Sequence, residues 1–244
     1  MPYRKEKFAT GDICHLILRG IDDSVLFKDI NDYYRGIFSI YEFNTSNPVE
    51  IRRRREARIK MKQLLKARGD PTSANSANLD MRDKLVEVLS FCLMPNHIHL
   101  LIRQIKDNGI IKFMAKMGGG YARYFNLKHS RKGYVFQNRF LAVPIKTDEQ
   151  LRVVFAYIHA NPISLIEPKW KENGINNSVE SIKFVENYKW SSCSDYLGKP
   201  NFPSVTDRDF ILETMGGERG CQEFIEDWIK YRGKIKESPD LFLE

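Results

Sequence analysis

Two strand-like runs joined by a short turn constrain the fold of this chain more than any other feature. The runs 85–93 (LVEVLSFCL) and 97–103 (HIHLLIR) are rich in β-branched, aromatic and other apolar residues that favour strands. Pro95 and Asn96, which separate them, are typical of tight turns. Strands joined by so short a connection pair in antiparallel fashion, so the sequence predicts a hairpin whose second strand opens with two histidines.

The segments around this hairpin alternate between the strand pattern, with period two, and the helix pattern, with period 3.6. The long helix among them is expected to be interrupted or tightened at glycines 118–120. The order βαββαβα indicates an α+β fold. The predicted elements are a strand over 12–20, a helix over 29–42, the hairpin, a helix over 107–128, an extended segment over 133–145 and a helix over 147–162.

Residues 47–83 interrupt this order after the first helix and are interpreted as an insertion. Its first part, about 48–67, predicts a basic helix, and its second part, 69–80 (GDPTSANSANLD), is small and polar like a mobile connection. We expect the chain to comprise a core domain, 1–163, that contains this insertion, and a small helical C-terminal extension, 164–244.

Positive charge is concentrated in the insertion. The formal net charge of the chain is +8, and the stretch 49–69 alone has nine Lys or Arg and two Glu. Such a focused field suits a phosphate polyanion, because neutralised phosphates release their counterions. A solvated basic helix or a disordered arm is the alternative. Five arginines are the candidate phosphate contacts of this stretch: Arg52, Arg53, Arg54, Arg55 and Arg58.

The sequence predicts neither a membrane protein nor a secreted one. No apolar run approaches the roughly 20 residues of a membrane span. The basic N-terminus lacks the apolar core of a secretory signal, and the four cysteines form no Cys-x-x-Cys pair. A reducing, cytoplasmic location is therefore expected.

The sharpest local signal is His97-Ile98-His99 at the start of the second hairpin strand. In a strand, residues i and i+2 project from one face, so both imidazoles point the same way while Ile98 packs into the core. Imidazoles placed in this way suit a divalent ion, and the turn upstream leaves that end of the strand open to a substrate. Two histidines held by hydrogen bonds on a half-exposed strand are the alternative.

Tyr157 lies beside the apolar stripe of the last core helix. At about 100° per residue, Asn161 falls about 40° from Tyr157, so an exposed hydroxyl and an amide oxygen are expected to share a face. Asn161 would then complete a metal site while Tyr157 addresses a substrate. Because Pro162 disfavours helical dihedrals at the residue before it, a capping role is the alternative for Asn161. For Tyr157 the alternative is a tyrosine at the edge of the core.

Other residues are weaker candidates for a catalytic or metal-binding role. His15 and His159 lack metal-ligand spacing and are interpreted as structural or supporting residues. Glycines 118–120 lack the Gly-x-x-x-x-Gly-Lys-Ser/Thr phosphate loop. A mixed basic and aromatic set either binds single strands through phosphate contacts and stacking or forms a plain solvated face. This set comprises Arg123, Tyr124, Arg131, Lys132, Gln137 and Arg139.

Six blocks spread along the chain carry a family resemblance. They are 15–20 (HLILRG), 94–101 (MPNHIHLL), 120–126 (GYARYFN), 135–140 (VFQNRF), 157–162 (YIHANP) and the pair 190–192 (WSS) and 196–198 (YLG). In this order they resemble the REP-associated tyrosine transposases and related single-strand insertion-sequence transposases of the one-tyrosine HUH class (His, hydrophobic, His). The resemblance covers roughly residues 8–200, and the insertion lies outside the common pattern.

The resemblance implies a ferredoxin-like βαββαβα core with an antiparallel sheet, His97 and His99 on a central strand, and Tyr157 on a helix beside a metal. It implies Asn161 as the third protein ligand, where related enzymes often have the longer Gln. It also implies a metal-dependent endonuclease and strand transferase that acts on single-stranded hairpin DNA through a 5′-phosphotyrosine, with Mg²⁺ or Mn²⁺ as cofactor. The arginines of the insertion and the mixed basic and aromatic set then become candidate DNA-binding residues.

Alternatives stay open for the activity and for the assembly. A domesticated protein that binds hairpin nucleic acid without cleaving it is the main alternative, and a metal hydrolase that uses activated water is another. Related proteins occur as monomers and as homodimers with exchanged tyrosine helices. Tyr157 therefore acts either within its own chain or across to a partner.

Overall fold

A four-stranded antiparallel sheet forms the centre of the protein. The computed structural model describes residues 8–50, 56–57, 59–60, 63, 80, 82–137 and 139–232. The strand order is β2-β3-β1-β4, with β1 at Ile13–Arg19, β2 at Val86–Met94, β3 at His97–Gln104 and β4 at Leu141–Ile145. Three helices connect the strands or follow them: α1 (Ile30–Glu42), α2 (Gly109–Lys128) and α3 (Asp148–Ala160). The predicted hairpin and the ferredoxin-like βαββαβα order are confirmed.

The region after α3 is helical, as predicted. It begins with a 3₁₀ turn, Asn161–Leu165, and continues with α4 (Trp170–Asn173), α5 (Ser178–Asn187), α6 (Cys193–Tyr196), α7 (Asp209–Met215) and α8 (Gly217–Arg232). Between α5 and α6 the chain pairs with the outer edge of β2, through Leu93 N to Trp190 O at 2.8 Å and Ser192 N to Phe91 O at 3.0 Å. This segment covers a sheet edge that would otherwise be open to other strands.

The two faces of the sheet carry separate apolar cores. On one face, α1 and α2 pack on alternate strand residues such as Leu16, Ile98 and Leu100. On the other face, α3 and the C-terminal helices pack on residues such as Met94 and Leu101. Because side chains alternate along a strand, the histidines of β3 face α3 and the C-terminal helices.

Side-chain caps set the start of the helices that frame the site. Thr147 Oγ1 accepts a hydrogen bond from Gln150 N at 3.2 Å, and Gln150 Oε1 accepts one from Lys146 N at 2.9 Å. These reciprocal bonds begin α3 where Thr147 and Gln150 predicted a helix start. Asp29 caps α1 in the same way through the backbone N–H groups of Asn31 and Asp32.

Two sequence expectations differ from the structure. Helix α2 runs without interruption through glycines 118–120. A Cβ on Gly120 would lie 2.3 Å from the ring of Phe43, so at that position glycine permits close packing after α1 rather than a break. Among the described residues of the extended segment 133–145, only β4 is a strand, and Phe136 makes a single bridge to Gly20.

Most of the basic insertion lies outside the described residues, including Arg52, Arg53, Arg54, Arg55 and Arg58. Within its first part, residues 48–50 are not helical, whereas 56–57, 59–60 and 63 are helical, in line with the later part of the predicted basic helix. Across the described ranges, no helix is both long enough and apolar enough to span a membrane. All four cysteines are buried and carry free thiols.

Candidate active site

His97 and His99, the histidine pair, project from the same face of β3, as the alternation of the strand predicted. In the register with β1, His97 lies opposite Arg19 and His99 opposite Ile17. His97 is 9% exposed and His99 is fully buried. The pair therefore lies at the end of a central strand, between the sheet and α3.

Each histidine of the pair has a hydrogen bond at Nδ1. The Nδ1 of His97 lies 2.7 Å from Asn96 Oδ1, an acceptor, so this nitrogen carries the proton. The Nδ1 of His99 lies 2.9 Å from Nε2 of His15. When His99 donates in this contact, the Nε2 atoms of both members carry the lone pairs. A hydrogen bond at one ring nitrogen commonly orients the other as a metal ligand.

The surroundings of His99 keep its imidazole neutral. Burial is the main cause that lowers the pKa of His99 well below its usual value. The neighbouring imidazoles of His15 and His97 lower this pKa further, and the cations Lys171 and Arg19 add to the effect. Metal coordination requires a neutral imidazole, so protons compete weakly with a metal at this position.

The placement of the two rings fits a shared metal ion. Their centres are 4.7 Å apart and their planes meet at 79°. Two imidazoles that bind one ion through bonds of about 2.1 Å, meeting at a right angle, have ring centres about 4.6 Å apart. In the described part of the chain, no group of three or more His, Cys, Asp or Glu is placed to hold a metal.

Tyr157 on α3 packs directly against the histidines. The centre of its ring lies 5.9 Å from the ring of His99 and 5.9 Å from the ring of His15, both in edge-on geometry. The expected exposed hydroxyl is wrong, because Tyr157 is only 1% exposed. Trp170 and Trp228 of the C-terminal extension pack on its ring at 6.3 and 6.4 Å. The face of α3 that carries Tyr157 is therefore covered by the C-terminal extension, although the sequence of the core domain predicted it to be exposed.

Lys171 contacts the hydroxyl of Tyr157. Its ammonium donates a hydrogen bond to Tyr157 Oη at 3.0 Å and lies 5.2 Å from the centre of the tyrosine ring. Lys171 follows the buried Trp170 on α4 and is itself half-buried. The C-terminal extension thus supplies a cation to the site.

Asn161 ends α3 and is buried. Its Nδ2 donates to the backbone oxygen of Tyr157 at 3.0 Å. Its backbone stays helical (φ −50°, ψ −38°) although Pro162 follows, so the proline does not displace it. Because the amide nitrogen is committed to the helix end, the Oδ1 atom is the one to consider as a ligand. The predicted capping role is present, and the ligand role stays a proposal.

The mixed basic and aromatic set divides between two places. Gln137 donates from its backbone N to Arg19 O at 2.9 Å, at the sheet end where His97 lies, and Arg139 follows it as an exposed residue. The other four belong to α2 and the loop after it, in the layer on the opposite face. Among these, Tyr124 is half-buried and its hydroxyl donates to Asp32 at 3.2 Å. The remaining three are Arg123, Arg131 and Lys132.

One contributor to the site was not predicted from the sequence, and another was predicted only in outline. His15 was expected to be structural or supporting, and its bond to His99 gives it the supporting role. This placement was weakly indicated by the sequence, because strand alternation puts His15 on the same face of β1 as Ile17, two residues away. Lys171 carried no signal, because it follows α3 in a region without a strong pattern. His159, by contrast, is structural: it is fully buried and its Nε2 bonds Ser192 Oγ at 2.9 Å.

Comparison with known proteins finds one family model and a distant structural likeness. Residues 62–161 match the family model described as "Transposase IS200 like", a range that contains the histidine pair and Tyr157 and ends at Asn161. No curated protein matches the sequence significantly. Among solved structures, "Structure of the REP associates tyrosine transposase bound to a REP hairpin" aligns with 86% of this chain and 95% of that chain, at 15% identity and a TM-score of 0.44.

Proposed function

We propose that the chain, whose residues 62–161 match the family model described as "Transposase IS200 like", cleaves and rejoins single-stranded hairpin DNA through a covalent bond to Tyr157. The observation that carries this proposal is the packing of the Tyr157 ring against His99 and His15, at 5.9 Å from each. Neither the tyrosine nor the histidine pair indicates an active site by itself, but here they lie together in one buried site. The proposal has the tyrosine act in cis, because its ring packs against His99 of its own chain.

The proposed reaction is a transesterification at phosphorus. Tyr157 Oη attacks the scissile phosphate, the Oη–P bond forms and the P–O3′ bond breaks. The products are a 5′-phosphotyrosine and a free 3′-hydroxyl, and attack of a 3′-hydroxyl on the phosphotyrosine reverses the step. Cleavage and joining therefore share one covalent intermediate, and no nucleotide cofactor is required.

The histidine pair is the proposed metal site, with the amide oxygen of Asn161 as its third protein ligand. A bound divalent ion would polarise the scissile phosphate and offset the charge of the transition state. Nitrogen ligands favour Mn²⁺ in affinity, whereas the cellular supply favours Mg²⁺. The spacing of the two rings and the neutral state of His99 support this assignment.

Access to Tyr157 requires a rearrangement. At 1% exposure, its hydroxyl lies beneath Trp170, Lys171 and Trp228. A DNA strand reaches this atom only when part of this covering layer moves aside. Gln137 and Arg139, at the end of the sheet where His97 lies, are the proposed contacts for the incoming strand. The basic insertion is the proposed clamp on the hairpin.

The proposal is tested by incubating single-stranded hairpin DNA with the protein and either Mg²⁺ or Mn²⁺. A covalent protein–DNA adduct is expected from the wild type. Tyr157→Phe should abolish it, and replacement of both members of the histidine pair by Ala should abolish it while leaving most DNA binding intact. Tyr188→Phe is the control, because that tyrosine is also buried but its hydroxyl donates to the backbone, to Leu93 O at 2.8 Å.

Each other outcome identifies a different activity. Hairpin binding without an adduct in either metal would indicate a protein that only recognises nucleic acid. Cleavage that survives Tyr157→Phe would indicate hydrolysis by an activated water. An adduct that survives loss of the histidine pair would remove the metal site from the mechanism.

A further inference from the structure

A lysine of the C-terminal extension touches the atom proposed to attack the DNA. Lys171 Nζ donates to Tyr157 Oη at 3.0 Å. The same ammonium lies 5.2 Å from the centre of the Tyr157 ring and 5.8 Å from that of Trp170. Both distances fall in the range of cation–π attraction, so two aromatic faces hold the charge beside the hydroxyl.

Lys171 is held in position by the packing of the residue before it rather than by contacts of its own side chain. The preceding Trp170 is among the largest fully buried residues and packs 5.8 Å from Trp228 of α8. Helix α4 is therefore anchored without any help from Lys171. The lysine itself is half-buried, in surroundings where a charge acts more strongly than it does in water.

We propose that Lys171 is a catalytic residue of strand cleavage, whose ammonium binds a non-bridging oxygen of the scissile phosphate while Tyr157 attacks. This inference rests on the proposed function. A phosphorus atom attacked by Oη comes within bonding distance of Oη. Its non-bridging oxygens then enter the hydrogen-bonding range of an ammonium that is already beside that atom.

The chemistry of the step gives the cation its role. The Oη–P bond forms, the P–O3′ bond breaks with its electron pair on O3′, the phenol loses a proton and O3′ gains one. The phosphoryl oxygens carry the negative charge throughout. A neutral donor would orient the hydroxyl equally well, whereas a cation gains most when an anion enters the site. The lysine also replaces part of the hydration that the phosphate leaves behind.

The test compares two substrates and two lysines. Lys171→Met keeps an unbranched side chain, one atom shorter than that of lysine, and removes its charge. Lys169→Met is the matched control, because that lysine is exposed at the start of the same helix. The substrates are one hairpin DNA with an ordinary scissile phosphate and the same DNA with a methylphosphonate there, which lacks one negative charge. Single-turnover adduct formation is measured with Mn²⁺.

Lys171→Met should slow adduct formation on the phosphate by about 10²–10³-fold, the usual effect of removing one group that stabilises developing charge. On the methylphosphonate it should react within a few-fold of the wild type, because the charge it neutralises is absent. Lys169→Met should match the wild type on both substrates. Lys171→Arg, which keeps the charge, should retain most of the rate on the phosphate.

Several results would overturn the inference. Wild-type rates for Lys171→Met on the phosphate would show that the lysine has no part in the reaction. An equal loss on both substrates, or an Arg variant as slow as the Met variant, would show a structural role only. If the wild type forms no Tyr157-dependent adduct, the proposed function fails first and the role of Lys171 falls with it.

Discussion

Replacing His15 by Phe should weaken metal binding at the histidine pair while the protein stays folded. The imidazole of His15 is stacked on that of His99, with ring centres 5.1 Å apart and planes inclined by 20°, and its Nε2 contacts His99 Nδ1 at 2.9 Å. Phenylalanine preserves the ring and its packing against Tyr157. The substitution removes both ring nitrogens, including the one that contacts His99.

The size of the effect follows from the burial of His99. Removing a hydrogen bond in a fully buried site should lower the free energy of unfolding by about 1–3 kcal/mol. Loss of the partner that fixes the orientation of a metal-binding imidazole typically weakens metal affinity by about 10–100-fold. That change corresponds to about 1.4–2.7 kcal/mol of binding free energy. The rings keep their places, so the loss should stay within this range.

The assay is a calorimetric titration of Mn²⁺ into the wild type, His15→Phe and a matched control, His159→Phe. His159 is equally buried and its ring packs against Phe155 at 4.4 Å, but its hydrogen bond goes to Ser192. The control should lose stability without losing Mn²⁺ affinity. Unchanged affinity in His15→Phe, or an equal loss in the control, would refute the orienting role of His15.

Three further predictions concern other parts of the structure. Burial lowers the pKa of His159 to about 3, so its contribution to stability is complete above its unfolded pKa of about 6.5 and falls by about 1.4 kcal/mol per pH unit as the pH drops towards 3. In urea unfolding measured across this pH range, the free energy of unfolding of His159→Phe should lack this part of the pH dependence. An unaltered pH dependence would contradict the prediction. The proposed cis action of Tyr157 predicts that a mixture of Tyr157→Phe protein with protein lacking the histidine pair forms no adduct, whereas an adduct would indicate exchanged helices. Gly120→Ala, whose Cβ would lie 2.3 Å from the Phe43 ring, should lower stability by about 1–3 kcal/mol. Gly119→Ala, which has open space around it, should raise stability by about 0.5–1 kcal/mol; the opposite order in thermal unfolding would disprove this packing argument.

The sheet was predictable because its signals are local. The hairpin needs only two apolar runs and the Pro95-Asn96 turn, and the shared face of the histidine pair follows from strand alternation. The start of α3 was equally local, since Thr147 and Gln150 form its cap. The expected interruption at glycines 118–120 was wrong because the role of the glycine that matters is not local. Gly120 leaves room for the ring of Phe43, a residue distant in sequence.

The surroundings of Tyr157 were not predictable from local patterns. Helical spacing gave its angle relative to the apolar stripe, but not what lies against that face. Trp228 is 71 positions further along the chain, and the contact exists only after the extension folds over α3. The His15–His99 contact likewise depends on the register of β1 with β3, which places Ile17 opposite His99 and His15 diagonal to it.

The most direct test of the central claim is a mass spectrum of the protein–DNA adduct after digestion. The wild type, incubated with hairpin DNA and Mn²⁺, should yield a peptide in which the oxygen of Tyr157 is joined to a 5′-phosphate, together with a DNA fragment that ends in a free 3′-hydroxyl. An adduct on any other residue, or one that joins the tyrosine to a 3′-phosphate, would contradict the account.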